Sequence, residues 1–568
     1  MKKILLVAIN AKYIHSNLAI RCLKAYAEQN GVASPISLQE YTINQNPSEI
    51  LEGIISQNPD IVGFSCYIFN IETTLRLVQD LKAVLPGCVI FLGGPEAGTR
   101  SLDLMEKYNE IDFIIRGEGE RPTALLLHAL EENNSSFSDL PSLSYRLEDD
   151  LIETQLSEPL HHESLPYRYT KDEIEALEHK IIYFESSRGC PFRCSYCLSS
   201  VDKHLRFFPM AEVLDQLKLF LDCRVQQVKF IDRTFNCDRE RALAIWRFLK
   251  ENDNGVTNFH FEIAAELLSH ELMELLEKMR PGLIQLEIGV QSTNLETLTA
   301  IHRKADWNTA KEKIARIIAK KNVHIHLDLI AGLPKEGFSS FTCSFDDVYA
   351  LQPHQLQFGF LKLLAGSLLE SEADHYGIVC RRYPPYEVLR TADLSFGELA
   401  FLKQVEALVD LFYNSGRFRS SLALLEPLFE TPFSFYSELK NCLAREKVTV
   451  HQLGKYGGYQ LLLKFCESRE PSLLPALRQA VKYDIFARER VQVLPPFLGL
   501  SITRQNSDKV RGLASAHLTG KSPKEYQVEY FNGNSVIPEG YTCFFYGKRD
   551  LYGNAETKLL YGSCERER

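Results

Sequence analysis

The sequence predicts an α/β protein in three parts: an N-terminal doubly wound parallel sheet, a central partial (βα)6 barrel and a C-terminal α+β extension. Three observations predict it. Short apolar runs alternate with amphipathic stretches through residues 1–130, as a mostly parallel sheet covered by helices requires. The alternation resumes at 181–184 and completes six strand–helix units by residue 368. From 369 it gives way to a mostly helical stretch that ends in strands. A chain of 568 residues has room for this division at roughly 150 residues per domain. Its 45 % apolar and 24 % charged content excludes disorder, collagen and coiled coil as descriptions of the whole. Lys and Arg number 64 against 74 Asp and Glu, a net charge of −10, so no global basic field draws in nucleic acid or anionic membrane.

Residues 4–9 read as the first strand. Met1-Lys2-Lys3 has the charge of a signal peptide's start, but the apolar run is too short. Asn10, Lys12 and His15 follow without a small-residue cleavage site. No run approaches the roughly 18 apolar residues of a membrane span, and the reading is a cytoplasmic protein with no membrane partner. Apolar spacing at Leu18, Cys22, Leu23 and Tyr26 predicts a helix over 17–29, stopped by Gly31. Further strands are expected at 61–64, 89–92 and 112–115, with helices between. Ligands bind such sheets at the carboxyl ends of the strands. The loops there hold Asn10, Tyr13 and His15, then Ser65-Cys66-Tyr67, then Gly93-Gly94-Pro95-Glu96, then Gly117-Glu118-Gly119-Glu120. Their glycines let backbone approach a ligand closely, although each loop taken singly reads better as a plain turn, and none is a dinucleotide fingerprint.

Together and in this order, the four loops resemble the cobalamin-binding domain found ahead of many radical S-adenosylmethionine enzymes. The resemblance covers 1–130 and implies that cobalamin is held by Asn10, Tyr13, Ser65, Tyr67, Gly93, Gly94, Pro95, Glu96, Gly117, Glu118, Gly119 and Glu120. Some such domains carry Asp-x-His-x-x-Gly, whose His is the cofactor's lower ligand. That motif is absent, and His15 is the only His before His128. The expectation is a lower face without His: a water, another side chain, or nothing. Residues 131–180 read as a connector, with a polar break at 131–136, a hairpin over 143–152 and a charged helix over 170–180.

Fourteen cysteines in so long a chain do not make a secreted disulfide scaffold. Three of them, Cys190, Cys194 and Cys197, stand within eight residues as C-x3-C-x2-C. Three thiolates on one tight loop can hold three irons of a [4Fe-4S] cluster and leave the fourth open. Structural zinc takes a fourth Cys or His at matching spacing, and His204 is poorly spaced for it. The other eleven form no second C-x-x-C and read as packed thiols, with Cys237 near the predicted barrel mouth. The spacing is similar to that of the radical S-adenosylmethionine superfamily. The resemblance implies that the open iron chelates S-adenosylmethionine and that an external donor such as flavodoxin or ferredoxin supplies the electron. A 5′-deoxyadenosyl radical results, and Tyr196 lies beside the adenine.

The expected barrel strands are 181–184, 228–231, 259–262, 286–290, 326–330 and 356–361, separated by helices such as 210–221, 239–250, 269–278 and 309–320. Chemistry belongs at their carboxyl ends. Many family members end the second strand in Gly-Gly-Glu, which binds the methionyl amine. Here Phe230-Ile231-Asp232-Arg233-Thr234 stands instead, and the resemblance passes that role to Asp232 with Thr234. It gives Glu262 the ribose hydroxyls and sets Gln291 and Glu287 at the same mouth. As residues alone, Asp232 and Glu262 also read as salt-bridged strand-end carboxylates.

The extension, 369–568, is expected to hold helices at 394–412, 420–429 and 459–466 and strands at 527–531 and 541–546. Arg504, Lys509, Arg511, Lys521 and Lys524 lie between 502 and 525 with one acid, Asp508: a solvated loop or a phosphate-contacting patch. The resemblance implies an enzyme using the cluster, S-adenosylmethionine and cobalamin, with methyl transfer to an unactivated carbon as the leading outcome. A rearrangement or cyclisation, and methylation or methylthiolation of an RNA or tRNA base, are the alternatives. A non-catalytic cobalamin sensor would need no open iron. The substrate, whether small molecule, peptide or tRNA, is not identified by the sequence.

Overall fold

Every residue of β1 (Ile4–Asn10) is buried, because its two faces enter different cores. Leu5, Val7 and Ile9 pack on one side and Ile4, Leu6 and Ala8 on the other, as a strand period of two dictates. The structure is a computed structural model describing residues 1–560 apart from 135, 161–165, 203, 506, 519 and 523. Cys564, one of the scattered thiols, lies outside the described residues. Around β1 the sheet adds β2 (Ile36–Thr42), β3 (Ile61–Ser65), β4 (Val89–Gly93), β5 (Phe113–Ile115), β6 (Leu143–Leu147) and β7 (Asp150–Glu153) in the order β2-β1-β3-β4-β5-β6-β7. The first five strands are parallel. The hairpin β6–β7 is antiparallel and continues this sheet, rather than standing apart in a connector.

Helices Leu18–Gln29 and Glu120–Glu131 cover one face, and Pro47–Ser56 and Ile71–Val84 the other. Asn17 starts the first by accepting from the Ile20 N–H, a standard N-cap. The charged helix of the connector is short, Lys171–Ala176, with Thr170 and Glu173 forming a capping box.

The six barrel strands are Ile182–Phe184, Gln227–Phe230, Asn258–Ile263, Ile284–Gln291, His324–Ala331 and Gln355–Phe360. They form one parallel sheet in chain order. Along them, Val228, Phe230, Phe259, Phe261, Leu286, Ile288, Ile325 and Leu327 are buried in the apolar core beneath the helices. The alternate positions are polar: Lys229, His260, Glu262, Gln285, Glu287, His326 and Asp328. The barrel's interior is therefore ionic, unlike the branched aliphatic filling of a closed eight-stranded barrel.

The extension shares the barrel's hydrophobic core, which runs unbroken from Tyr169 to Ala555. Five helices, Phe396–Val409, Arg419–Leu425, Pro432–Arg445, Gly457–Arg469 and Leu474–Arg488, lead to a three-stranded antiparallel sheet, Tyr526–Phe531, Gly540–Arg549 and Ala555–Leu560. Buried Asp484 joins two of these helices, accepting from the Ser420 and Ser421 N–H groups, each at 2.9 Å. The basic stretch read as a loop contains the helix Asp508–His517, capped by Ser507. Among the described residues no helix is long and apolar enough to cross a membrane.

Candidate functional site

A cavity of about 770 Å³ lies between the carboxyl edge of the first sheet and the mouth of the barrel. Asn10, Ser65, Tyr67, the Gly93-Gly94-Pro95 turn and the 117–120 loop line it from the sheet side; Tyr183, Glu185, Arg188, Lys229, Arg233 and Glu262 line it from the barrel side. The two parts are stitched beside it. The Ile181 N–H donates to Ile14 O at 2.7 Å, and the Ser16 hydroxyl donates to Ile181 O at 2.8 Å.

Several sheet-edge residues are occupied by the protein itself. Asn10 Nδ2 donates to Glu40 Oε2 at 2.8 Å. Glu118 and Glu120 reach the wall, but their carboxylates hold the barrel. Arg188 pairs with Glu120 at 2.8 Å and with Glu185 at 2.9 Å, and Arg206 pairs with Glu118 at 2.5 Å. Gly94 is required by the backbone: its φ is +102°, and a Cβ there would lie 2.6 Å from Cys66 O. Two expected contacts leave the cavity. Tyr13 is 69 % exposed and carries Lys180 over its ring at 5.3 Å. Glu96 is buried and accepts the Tyr386 hydroxyl from the extension.

What remains open fits a large polar cofactor. Ser65 Oγ and Thr123 Oγ1 are buried on residues of the wall with no partner, and an unpaired buried hydroxyl is costly unless a ligand satisfies it. His15 also lines the cavity, its Nδ1 2.8 Å from Tyr183 Oη. Burial and the charges of Lys12 and Lys229 lower its pKa.

On the barrel side, Cys194 is buried and Cys190 and Cys197 are half-buried. Burial pushes the Cys194 thiol up, the neighbouring Cys197 and Cys190 add to this, and Arg303 opposes it. Three thiols grouped this closely on one loop, next to a cavity, fit a cluster with one open iron. Arg303 Nη1 lies 3.8 Å from Cys194 Sγ while Nη2 donates to Gly289 O. Tyr196 packs against the same core beside this guanidinium.

Asp232 does not take the place expected of it. It is 1 % exposed, and its carboxylate accepts from the Ser186 N–H at 2.8 Å, the Ser186 hydroxyl at 2.6 Å and the Ser187 hydroxyl at 2.7 Å. Strand-end alternation points Ile231 and Arg233 into the cavity and turns Asp232 away. It anchors the segment that leads into Cys190. Thr234 is buried with Oγ1 3.7 Å from Cys190 Sγ. Gln291 sits at a register shift with φ +71°, off the cavity wall, its Oε1 buried without a partner. Of the residues expected at S-adenosylmethionine, Glu262 lines the cavity. Burial, then the charge of Glu287, raise its pKa to about 7, while Lys229 and Arg233 oppose the rise.

Arg188, Arg233, Arg303 and Tyr386 were not singled out from the sequence. Arg233 lies within the 230–234 segment and Arg188 two residues before the cysteine loop, and a positive residue at a strand end facing anionic groups was their available signal. Arg303 and Tyr386 act on residues far away in the chain.

The fold and the cavity agree with the families whose models match the chain. Residues 4–127 match the B12 binding domain family, 184–345 the radical SAM superfamily, and 374–532 a family of proteins of unknown function, DUF4080. These matches imply a [4Fe-4S] cluster, S-adenosylmethionine and cobalamin as the chain's cofactors. The chain is 26 % identical over 349 residues to the 2-(S-pantetheinyl)-carbapenam-3-carboxylate methyltransferase of Streptantibioticus cattleyicolor, covering 56 % of this chain and 49 % of that protein. It is 25 % identical over 357 residues to the cobalamin-dependent radical SAM methyltransferase TokK of Streptomyces tokunonensis, covering 60 % and 52 %. The chain thus spans about half the length of these curated relatives. The apo structure of the cobalamin-dependent radical enzyme OxsB superposes with a TM-score of 0.61 at 13 % identity, over 92 % of this chain and 82 % of that one; at that identity the likeness is one of fold.

Proposed function

We propose that the chain is a cobalamin-dependent radical S-adenosylmethionine methyltransferase. The observation that carries the reading is the single cavity walled at once by the sheet-edge loops and the barrel mouth. When bound there, the cluster with S-adenosylmethionine supplies one-electron radical chemistry and cobalamin supplies a transferable methyl group. Methyltransferase relatives that align over 349 and 357 residues support methyl transfer over the other outcomes.

The chain's own residues prepare the space. Cys190, Cys194 and Cys197 present three thiols, and Asp232 fixes the Ser186–Ser187 segment ahead of them. Ser65 and Thr123 offer hydroxyls to the cofactor on the sheet side. Glu262, flanked by Lys229 and Arg233, offers a carboxylate to sugar hydroxyls at the mouth, and Tyr196 packs by the cluster loop. Arg188 pairs across the boundary with Glu120 and, at 3.7 Å, with Glu118, and with Glu185 on its own side, and so holds the cavity's walls together. The electron comes from an external carrier of the flavodoxin or ferredoxin kind.

The test is anaerobic incubation of the cluster-reconstituted, cobalamin-loaded protein with methyl-trideuterated S-adenosylmethionine, a reductant and a metabolite extract. The expected result is 5′-deoxyadenosine, S-adenosylhomocysteine and a product three mass units heavier than its unlabelled form. Formation of neither nucleoside would overturn the reading.

A further inference from the structure

Inside the barrel, one step from the cavity, two histidines and two carboxylates converge from three neighbouring strands. His326 Nε2 and Asp328 Oδ1 are 3.0 Å apart, and His260 Nε2 and Glu287 Oε2 are 2.9 Å apart. These are ion-pair distances, yet His326 Nε2, Asp328 Oδ1 and His260 Nε2 are buried without a hydrogen-bonding partner: the atoms are close but not aligned as donor and acceptor. Both histidine side chains are more than nine-tenths buried, so water does not complete them. The ligand atoms of Glu287, His326 and Asp328 all fall within 4.8 Å of one another.

We infer that Glu287, His326 and Asp328, with His260 beside Glu287, form a site for a divalent transition-metal ion. Metal bonds of about 2.1 Å place adjacent ligand atoms about 3.0 to 3.4 Å apart without any hydrogen bond between them, which accounts for spacing and misalignment together. A set of imidazole nitrogens and carboxylate oxygens suits the zinc, manganese and iron(II) class rather than thiolate-seeking ions. The local charge favours a cation: Glu262, Glu287 and Asp328 face Lys229 and, at the mouth, Arg233. Lys229, 3.0 Å from Glu287 and 3.8 Å from Glu262, is the competitor. A bound ion takes over Glu287 and leaves Lys229 to Glu262, which ties the site to the cavity wall. Neither the thiol cluster nor the cobalamin loops contribute to it.

The probe is Mn2+, added to the anaerobic cluster-loaded protein with the cluster and cobalamin in their diamagnetic oxidised states. Loss of the free-ion paramagnetic signal should count one tight site per chain, and echo-modulation spectroscopy of the bound ion should show imidazole nitrogen. His326→Gln and Asp328→Asn should weaken binding at least 10- to 100-fold, since even indirect metal supports cost that much. Changing Cys190, Cys194 and Cys197 to Ala should leave it intact. Lys229→Met should tighten it, because the competing ammonium is gone; a purely structural polar network predicts no site there. Where the ligand variants do not fold, the nitrogen signature and the Lys229→Met titration decide. Absence of a stoichiometric site in both the wild type and Lys229→Met, or a site without imidazole nitrogen, would overturn the inference.

Discussion

Replacing Asp232 with Ala separates two roles for one carboxylate. The side chain accepts three hydrogen bonds from Ser186 and Ser187, each worth about 1.5–3 kcal/mol to a charged acceptor, or about 4.5–9 kcal/mol if they were additive. Against this stands the cost of burying it. Desolvation outweighs the three donors and lifts its pKa to about 6 from 3.8, so burial cancels the gain those bonds would bring to an exposed carboxylate. Asp232→Ala leaves the Ser186 and Ser187 donors without a buried acceptor and should destabilise the protein by about 1–3 kcal/mol for each one left unsatisfied. It should also lower the iron content, because the freed segment leads straight into Cys190. Denaturant unfolding of the cluster-loaded protein, with iron and sulfide counted on the folded fraction, measures both. The half-saturation point for S-adenosylmethionine on that fraction should stay where it is. The reasoning is refuted if the variant unfolds like the wild type, keeps its cluster and binds S-adenosylmethionine about 10- to 150-fold more weakly, the loss expected of a direct charged contact.

Glu262→Gln should give that converse pattern, weaker S-adenosylmethionine binding at unchanged iron content, by titration of 5′-deoxyadenosine formation. Because its native pKa, about 7, lies above the ordinary 4.5, Glu262 withdraws stability as pH rises from about 4.5 to about 7; urea midpoints at pH 5 and pH 8 should show a smaller fall in Glu262→Gln than in the wild type. Arg303→Met removes the cation 3.8 Å from Cys194 Sγ and should lower the cluster's midpoint potential by about 65–130 mV, equivalent to about 1.5–3 kcal/mol for one electron; an unmoved potential in a redox titration counts against the contact. Ser65→Ala with Thr123→Val should weaken cobalamin binding about 2- to 13-fold per hydroxyl, read from the cofactor's absorbance during equilibrium dialysis.

Much of the fold was legible because its signals are local. The barrel strands announce themselves by strict alternation, as in Ile284–Gln291, where the buried set is apolar and the lumen set polar. Strand β2 escaped notice because Ser37, Gln39 and Glu40 blur its pattern at the sheet's edge. The three-cysteine loop was legible from spacing alone, since Cys190, Cys194 and Cys197 stand within eight residues of chain. Asp232 was misplaced because its partners lie 45 and 46 residues away. The Cys194 contact of Arg303 spans 109 residues and that of Glu96 with Tyr386 spans 290; no local pattern encodes either. At Gly94 the crowding by Cys66 demands a glycine independently of the cavity that the residue also lines.

The Leu369 N–H donates to Ser195 O at 2.8 Å, in the middle of the cysteine loop. That bond sets an order of events during synthesis. At about 5–20 residues per second, residue 369 is added about 10–35 s after Ser195. Through that interval a nascent chain already holds all three thiols but lacks the segment that closes over their loop. A translation arrest just past the barrel would therefore leave the cysteine loop without the contact that ties its middle to the start of the extension.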